Sequence, residues 1–235
     1  MKKTIWAMII AIVSLVACTK TSDYGETKVP MPEAVDLGLS VKWASFNIGA
    51  SAPEEYGFYY AWGEKELKSD YSWSTYKWCN GDMKKLTKYC DWLYPDYWDG
   101  EGSPDGKEVL NLVDDVARIK LAGKWRMPKV NEWLELRDGC IWMWTTQNGV
   151  NGMRVTGKNG NSIFLPAAGI RIGTNIDDAG VGGYYWTSEW TSGLLSLPYA
   201  ACSMDFNPNY TSNYNPGYYS VAERFCGLSV RAVSE

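Results

Sequence analysis

The sequence predicts an α+β domain built mainly on antiparallel sheet, and three observations support this class. The chain has 235 residues, of which 46% are apolar, so it is long enough and apolar enough to bury a core. Two stretches carry apolar residues at helical spacing, and short strand candidates surround them. Asn148-Gly149 and Asn159-Gly160 each separate two alternating apolar stretches, which is the strongest short signal for a β-hairpin. Helices among short hairpin-linked strands are typical of the α+β class.

The other elements are arranged around a strand-to-helix step between Gly123 and Leu136. Pro128 follows a short strand, and its fixed φ suits the first position of a helix. Gly139 can end this helix in a left-handed conformation. Apolar side chains recur at helical spacing at Val130, Trp133, Leu134 and Ile141. We therefore expect one face of this helix to pack in the core.

The remaining elements follow from the same patterns. The segment from Val109 to Leu121, with Asp114-Asp115 near its start, predicts a first helix. The strand candidates are 34–37, 41–48, 58–62, 124–127, 141–146, 153–156, 162–166, 184–188, 199–206 and 228–233. In 199–206, alternation turns one set of side chains to the core and the other outward. The core set is Ala200, Cys202, Met204 and Phe206, and the outward set is Tyr199, Ala201, Ser203 and Asp205.

Residues 64–108 are the least regular part of the chain. They are rich in aromatic residues, including Trp73, Tyr76, Trp78, Tyr89, Trp92, Tyr94, Tyr97 and Trp98. Long irregular segments in compact domains usually serve a function. The alternative is that these rings only pack the segment, hereafter the insertion, onto the domain.

Composition excludes several kinds of chemistry. The chain has no histidine, which removes Ser-His-Asp and Cys-His nucleophiles and every zinc site that needs His. Its net charge is −4 and it has no basic patch, so we expect no nucleic-acid partner. Glu64, Glu132 and Asp205 could serve as paired carboxylates in glycoside hydrolysis, but nothing in the sequence brings two of them together. We therefore expect no enzymatic activity, no cofactor and no metal site.

The N-terminus reads as a bacterial lipoprotein leader. Lys2 and Lys3 precede an apolar run that is too short to span a membrane, and Leu15-Val16-Ala17-Cys18 resembles a lipobox. An ordinary signal peptide is the alternative. We expect residues 1–17 to be removed, Cys18 to be lipidated, residues 18–32 to form a polar tether and residues 33–235 to form the domain.

Several motifs together resemble the Fibrobacter succinogenes major paralogous domain family, over residues 33–234. They include Gly57-Phe-Tyr-Tyr-Ala-Trp-Gly-Glu64, Trp125-Arg-Met-Pro128, Gly160-Asn-Ser-Ile-Phe-Leu-Pro-Ala-Ala-Gly169, Tyr185-Trp-Thr-Ser188 and Leu228-Ser-Val-Arg-Ala-Val233. That family, found in secreted and lipid-anchored proteins of gut Bacteroidetes, is similar to the C-type-lectin-like superfamily. The resemblance implies a C-type-lectin-like fold with two helices and short antiparallel strands, carried on the lipidated N-terminal tether.

The resemblance also brings two expectations and one departure. Lectin-like folds often carry a disulfide near the C-terminus, which implies that Cys202 pairs with Cys226. Cys140, in an apolar stretch after the helix, is expected to stay a buried free thiol. The calcium motifs of sugar-binding lectins are missing, and Asp177-Asp178 is expected to be a solvated turn. The family usually has Thr where this chain has Lys129, so Glu132 is expected to lack a reciprocal capping partner.

The segment from Trp190 to Phe225 has the composition of an antibody binding loop. Tyr, Asn, Ser and Gly combine rigid contact area with adaptable hydrogen bonding. The expected ligand-binding residues are Trp190, Tyr199, Asn207, Asn209, Tyr210, Asn213, Tyr214, Asn215, Tyr218 and Tyr219. The stretch 207–220 lacks large aliphatic residues and is expected to be a surface loop. The alternative is a Tyr- and Asn-rich loop without a partner.

These observations predict a cell-surface lipoprotein of the outer membrane that recognises a glycan or a surface protein without catalysis. Its expected partners are that ligand and the membrane, which it would contact through the lipid anchor. Two alternatives stay open: a structural or adhesin-tip subunit, and a variable binding protein diversified by a retroelement.

Overall fold

The computed structural model describes residues 29–190, 197–211 and 218–235. The predicted leader, Cys18 and most of the tether lie outside these residues. The two α-helices are α1 (Val116–Leu121) and α2 (Val130–Gly139), and single 3₁₀ turns cover Pro95–Tyr97 and Pro208–Thr211. None of the helices in the described ranges is long and apolar enough to cross a bilayer.

Twelve short strands form four sheets in the described part of the chain, and all pairings within these sheets are antiparallel. The strands are β1 (Ala34–Val35), β2 (Lys42–Ala44), β3 (Trp125–Arg126), β4 (Ile141–Gln147), β5 (Val150–Thr156), β6 (Ser162–Pro166), β7 (Ile170–Ile172), β8 (Asn175–Asp177), β9 (Gly183–Trp186), β10 (Ala200–Phe206), β11 (Tyr218–Glu223) and β12 (Val233–Ser234). The sheet orders are β1-β2-β12-β3, β11-β10-β9, β4-β5-β6 and β7-β8. The predicted α+β class with antiparallel sheet is confirmed.

Two clusters of buried side chains make up the core. The helix core joins Trp133 and Leu136 of α2 to the inner face of the β4-β5-β6 sheet. The insertion core joins Trp62 and Trp186 to rings of residues 64–108. Three of these rings, Tyr71, Tyr76 and Tyr89, are buried, and five more are partly buried against them, so much of the insertion is packed onto the domain by its aromatic residues.

Strands β9 and β10 lie between the two cores. Tyr185 and Met204 face the helix core, whereas Trp186 and Ala201 face the insertion core. Ala201 and Ser203 are therefore fully buried, and the prediction that they lie on an outward face is wrong. The reason is that the insertion covers the side of the sheet that sequence alternation assigns to solvent.

Helix α2 starts and ends differently from the prediction. It begins at Val130 after the N-cap Lys129, so Pro128 precedes the helix. Gly139 is its last residue, and the extended backbone of Cys140 ends it without a left-handed glycine. The buried face consists of Val130, Trp133 and Leu136, with Leu134 half-buried and Ile141 exposed on β4.

The N-terminus of α2 is capped from outside the helix. Lys129 has no side-chain acceptor, yet the Glu132 carboxylate still accepts a 2.8 Å hydrogen bond from its backbone N–H. The carboxylate of Glu189, just beyond β9, accepts from the Val130 N–H at 2.7 Å. Glu132 is also held by Arg126 through bonds of 2.8 and 2.6 Å. A residue distant in sequence thus supplies an acceptor for the first N–H of the helix, while the N-cap side chain supplies none.

Helix α1 is shorter than predicted. The Asp115 carboxylate accepts from the backbone N–H groups of Ala117 and Arg118, so the helix can begin only after this cap. Its second oxygen accepts from the Met127 N–H at 2.8 Å, which ties α1 to β3. Val113 lies before the helix and is 63% exposed.

Candidate binding surface

The insertion and the C-terminal segment meet at one aromatic surface. The rings of Tyr97 and Tyr199 stack with centroids 6.1 Å apart and planes tilted by 24°. Tyr94 makes edge-on contacts with both Tyr97 and Trp190, at 6.4 and 6.3 Å. Tyr94, Tyr97 and Tyr199 are all half-buried, so each ring keeps part of its area exposed. We refer to these three rings, together with Trp92, as the aromatic face.

Trp92, two residues before Tyr94 in the chain, is the most exposed aromatic ring of the insertion. It occupies a tight turn closed by the hydrogen bond from the Tyr94 N–H to the Asp91 carbonyl. The indole N–H donates to the Pro104 carbonyl at 2.6 Å, and the ring lies over Gly106, where an added Cβ would be 2.7 Å from it. Although it is fixed in this way, the side chain is 68% exposed. One ring face is therefore held in place and open to solvent.

A buried arginine supports the aromatic face from below. The guanidinium of Arg224 lies 4.9 Å from the Trp62 ring and 5.1 Å from the Trp190 ring. It donates to the carbonyls of Ala200 and Tyr89 at 3.1 and 2.9 Å. Burial lowers the pKa of Arg224 to about 10, which leaves it charged at neutral pH. These bonds fix the insertion to β10 directly beneath the aromatic rings.

Trp190 is a core residue, so its assignment to an exposed binding surface is wrong. The side chain is 1% exposed, and its indole N–H donates to the Lys107 carbonyl at 2.8 Å. Its backbone N–H donates to the Glu108 carbonyl. The ring acts as a support for Tyr94 instead of a ligand contact.

The other predicted binding residues fall into three groups. Tyr199, Asn207 and Tyr219 are half-buried and Asn209 is exposed. The backbones of Tyr210 and Tyr218 belong to the second 3₁₀ turn and to β11, and nothing is described of their side chains. Asn213, Tyr214 and Asn215 lie outside the described residues. Since β11 pairs with β10 from Tyr218 onward, the predicted surface loop ends earlier than position 220.

The predicted disulfide is absent from the structure. Cys226 is a free thiol in the insertion core, three residues beyond the end of β11. The sulfur of Cys202 lies 2.9 Å from the Tyr219 hydroxyl, on the neighbouring strand. Burial raises the pKa of Cys226 to about 12, which disfavours its reactive thiolate form. Cys140 is a half-buried free thiol.

The three carboxylates considered for catalysis each have separate partners. Glu64 pairs with Lys68 at 2.9 Å, and Glu132 pairs with Arg126. Asp205 accepts a 2.8 Å hydrogen bond from the Ser203 hydroxyl. Burial raises the pKa of Asp205 to about 7, although bonds from Ser203 and Ser220 act in the opposite direction. Within the described ranges, no group of three or more Cys, Asp or Glu side chains could hold a metal ion.

A concavity of about 230 Å³ lies beside the β4-β5-β6 sheet, separate from the aromatic face. It is lined by Ser45, Pro53, Gln147, Arg154, Ser162, Ile163 and Phe164. Glu54 fixes the loop above it by accepting hydrogen bonds from Gln147 and Asn148. Arg154 takes part in none of the ion pairs found among the described residues, so its cation is available to a small anion.

The sequence did not single out Trp92, Tyr97 or Arg154 as contact residues. The aromatic density of the insertion was the only signal for the first two, and it did not separate exposed rings from packed ones.

Comparisons with protein-family models, with curated proteins and with solved structures find no match for this chain. Its family membership stays a prediction from the motifs.

Proposed function

We propose that this protein is a non-catalytic recognition module, a C-type-lectin-like domain on a lipidated tether at the outer membrane, which binds a glycan through the aromatic face. The observation that carries the proposal is the Trp92 ring, which is 68% exposed yet fixed by Pro104 and Gly106. Aromatic faces carry negative charge density that attracts the C–H groups of a sugar ring. A ring that is already immobilised loses little conformational entropy when a ligand stacks on it.

The neighbouring groups suit a polar ligand. Tyr97 and Tyr199 add two half-exposed rings with hydroxyl groups, and Asp96 is an exposed carboxylate on the same 3₁₀ turn. Lys84 lies 6.0 Å from the Tyr97 ring. An aromatic ring can stack on the face of a sugar while neighbouring hydroxyl and charged groups form hydrogen bonds with the sugar hydroxyls.

A surface protein is the second candidate ligand, because Leu93 beside Trp92 is 82% exposed. An apolar pair at the tip of a turn is suited to a pocket on another protein, where Trp residues often dominate the binding energy. Sugar hydroxyls, in contrast, gain nothing from an isolated leucine. The two candidates therefore differ in the part that Leu93 plays.

The test is a glycan array followed by titration calorimetry on the best-retained glycan. Trp92→Ala should reduce affinity at least tenfold, while Leu93→Ala should bind like the wild type. Both positions are exposed, so neither variant should lower the melting temperature by more than about 2 °C. Equal loss of glycan affinity in both variants would show that binding does not rest on stacking against Trp92. Retention of no glycan, or full binding by Trp92→Ala, would refute the glycan proposal.

A further inference from the structure

Strand β4 forms an open edge of the β4-β5-β6 sheet. It pairs with β5 over all seven residues, and no second strand or isolated bridge pairs with it in the described part of the chain. At the opposite edge, four of the five β6 residues are buried, and the Phe164 carbonyl accepts from the buried Arg231 guanidinium at 2.8 Å. Along β4, the backbone groups of Trp142, Trp144 and Thr146 make no hydrogen bond to another segment among the described residues.

The hairpin turn shows which backbone groups point to the open edge. Asn148 and Gly149 have φ values of 48° and 83°, as in a type I′ turn, so the closing pair Gln147–Val150 exchanges hydrogen bonds. Hydrogen-bonded pairs then alternate along the ladder. The N–H and C=O groups of Trp142, Trp144 and Thr146 consequently point away from β5, toward solvent.

This edge lacks the features that usually prevent strands from joining. Its sequence, Ile141-Trp-Met-Trp-Thr-Thr-Gln147, contains no charge and no proline, and its register with β5 is continuous without a bulge. Ile141 is 74% exposed and Met143 is 52% exposed. Such an edge is a ready template for another strand.

We propose that β4 pairs antiparallel with β4 of a second copy of this chain, about a two-fold axis at Trp144. In this register, the outward backbone groups of one strand lie opposite the outward backbone groups of the other. Trp144 lies opposite Trp144 of the partner subunit, and Trp142 lies opposite Thr146 of the partner subunit. Each matched pair exchanges two hydrogen bonds, and the two three-stranded sheets become one of six strands. A neutral strand also meets its own copy without the like-charge repulsion that disfavours self-pairing. A contact of this kind closes as an isologous dimer.

The first test measures the mass of the full chain by sedimentation equilibrium in density-matched detergent. The wild type should sediment as a dimer. Met143→Lys and Thr146→Lys each place charge at the edge and should halve the mass. Ile176→Lys, at a 42% exposed position of β8, is the matched control and should stay dimeric. A monomeric wild type, or a dimer that both edge variants retain, would overturn the proposal.

The second test fixes the register. Met143 and Thr145 of the partner subunit form a non-hydrogen-bonded pair in this arrangement, where Cα atoms lie within disulfide reach. A mixture of Met143→Cys and Thr145→Cys chains should give a cross-linked dimer on mild oxidation. The unmodified chain, which keeps Cys140, sets the background. Cross-linking of the mixture no stronger than this background would overturn the register.

Discussion

The carboxylate of Glu189 is expected to stabilise helix α2 through a single hydrogen bond. It accepts from the Val130 N–H at 2.7 Å, and Val130 is buried, so water cannot easily replace the acceptor. Loss of an N-terminal cap usually costs about 0.5–2 kcal/mol, and hydrogen bonds to charged groups lie at the upper end of that range. Glu189→Ala should therefore lower the free energy of unfolding by about 1–2 kcal/mol. For a domain of this size, that corresponds to a fall in melting temperature of about 3–6 °C.

Urea denaturation followed by tryptophan fluorescence measures this change. Glu189→Gln keeps an oxygen acceptor but loses the charge that interacts with the helix dipole, so it should show about half the loss. Glu108→Ala is the matched control, because Glu108 is exposed and its side chain makes none of the described hydrogen bonds. A Glu189→Ala variant as stable as Glu108→Ala would show that the Val130 N–H finds another partner, and the capping argument would fail.

Three further predictions follow from other parts of the structure. Arg224→Ala should lower stability by about 3 kcal/mol in urea denaturation, since it removes two buried hydrogen bonds and two cation–π contacts; a loss below 1 kcal/mol would contradict this. The raised pKa of Asp205, about 7, means that the folded state binds more protons than the unfolded state between pH 4 and 7. Stability should therefore fall by up to about 4 kcal/mol as pH rises through this window, and Asp205→Asn should remove that slope in pH-dependent melting. Cys18→Ser should release the protein from the membrane fraction, whereas unchanged fractionation would refute lipidation of Cys18.

The elements predicted well are those that local chemistry determines. The Asn148-Gly149 turn and the flanking alternation fix the β4–β5 hairpin, and β6 matches its predicted range at both ends. The first position of α2 was missed by two residues. Pro128 does suit a helix start. The carboxylates of Glu132 and Glu189, however, accept from the backbone N–H groups of Lys129 and Val130, so the helix begins there. One of these acceptors belongs to a distant segment, which local patterns do not reveal.

The elements predicted poorly are those that contacts between distant segments determine. The strand pair β7–β8 was not predicted, because Asn175–Asp177 carries an Asp and an Asn that are unfavourable in strands. The first half of β11, residues 218–220, falls in the predicted surface loop, because its Tyr and Ser residues resemble a binding loop when β10 is not considered. The aromatic face depends on the stacking of Tyr97 on Tyr199, which only the fold of the insertion brings together.

Two buried arginines join segments that are distant in the sequence, and one of them reaches the insertion. Arg231 donates to Asn47 and to the carbonyls of Ala44 and Phe164, and Arg224 donates to the carbonyls of Ala200 and Tyr89. Neither is in any ion pair found among the described residues, so backbone dipoles and aromatic faces offset the cost of burying each charge.

A carbonyl can accept from a buried guanidinium only if its segment takes one position, so each arginine selects a single arrangement of the segments it bonds. Arg231 does this for β2, the turn after it and β6. Arg224 does it for the insertion and β10 through two of its three nitrogens, while Nη2 has no partner among the described residues. Trp92, the exposed ring of the aromatic face, is held by Pro104 and Gly106. Its identity can therefore change without removing the bonds of Arg224, which is what a recognition surface requires.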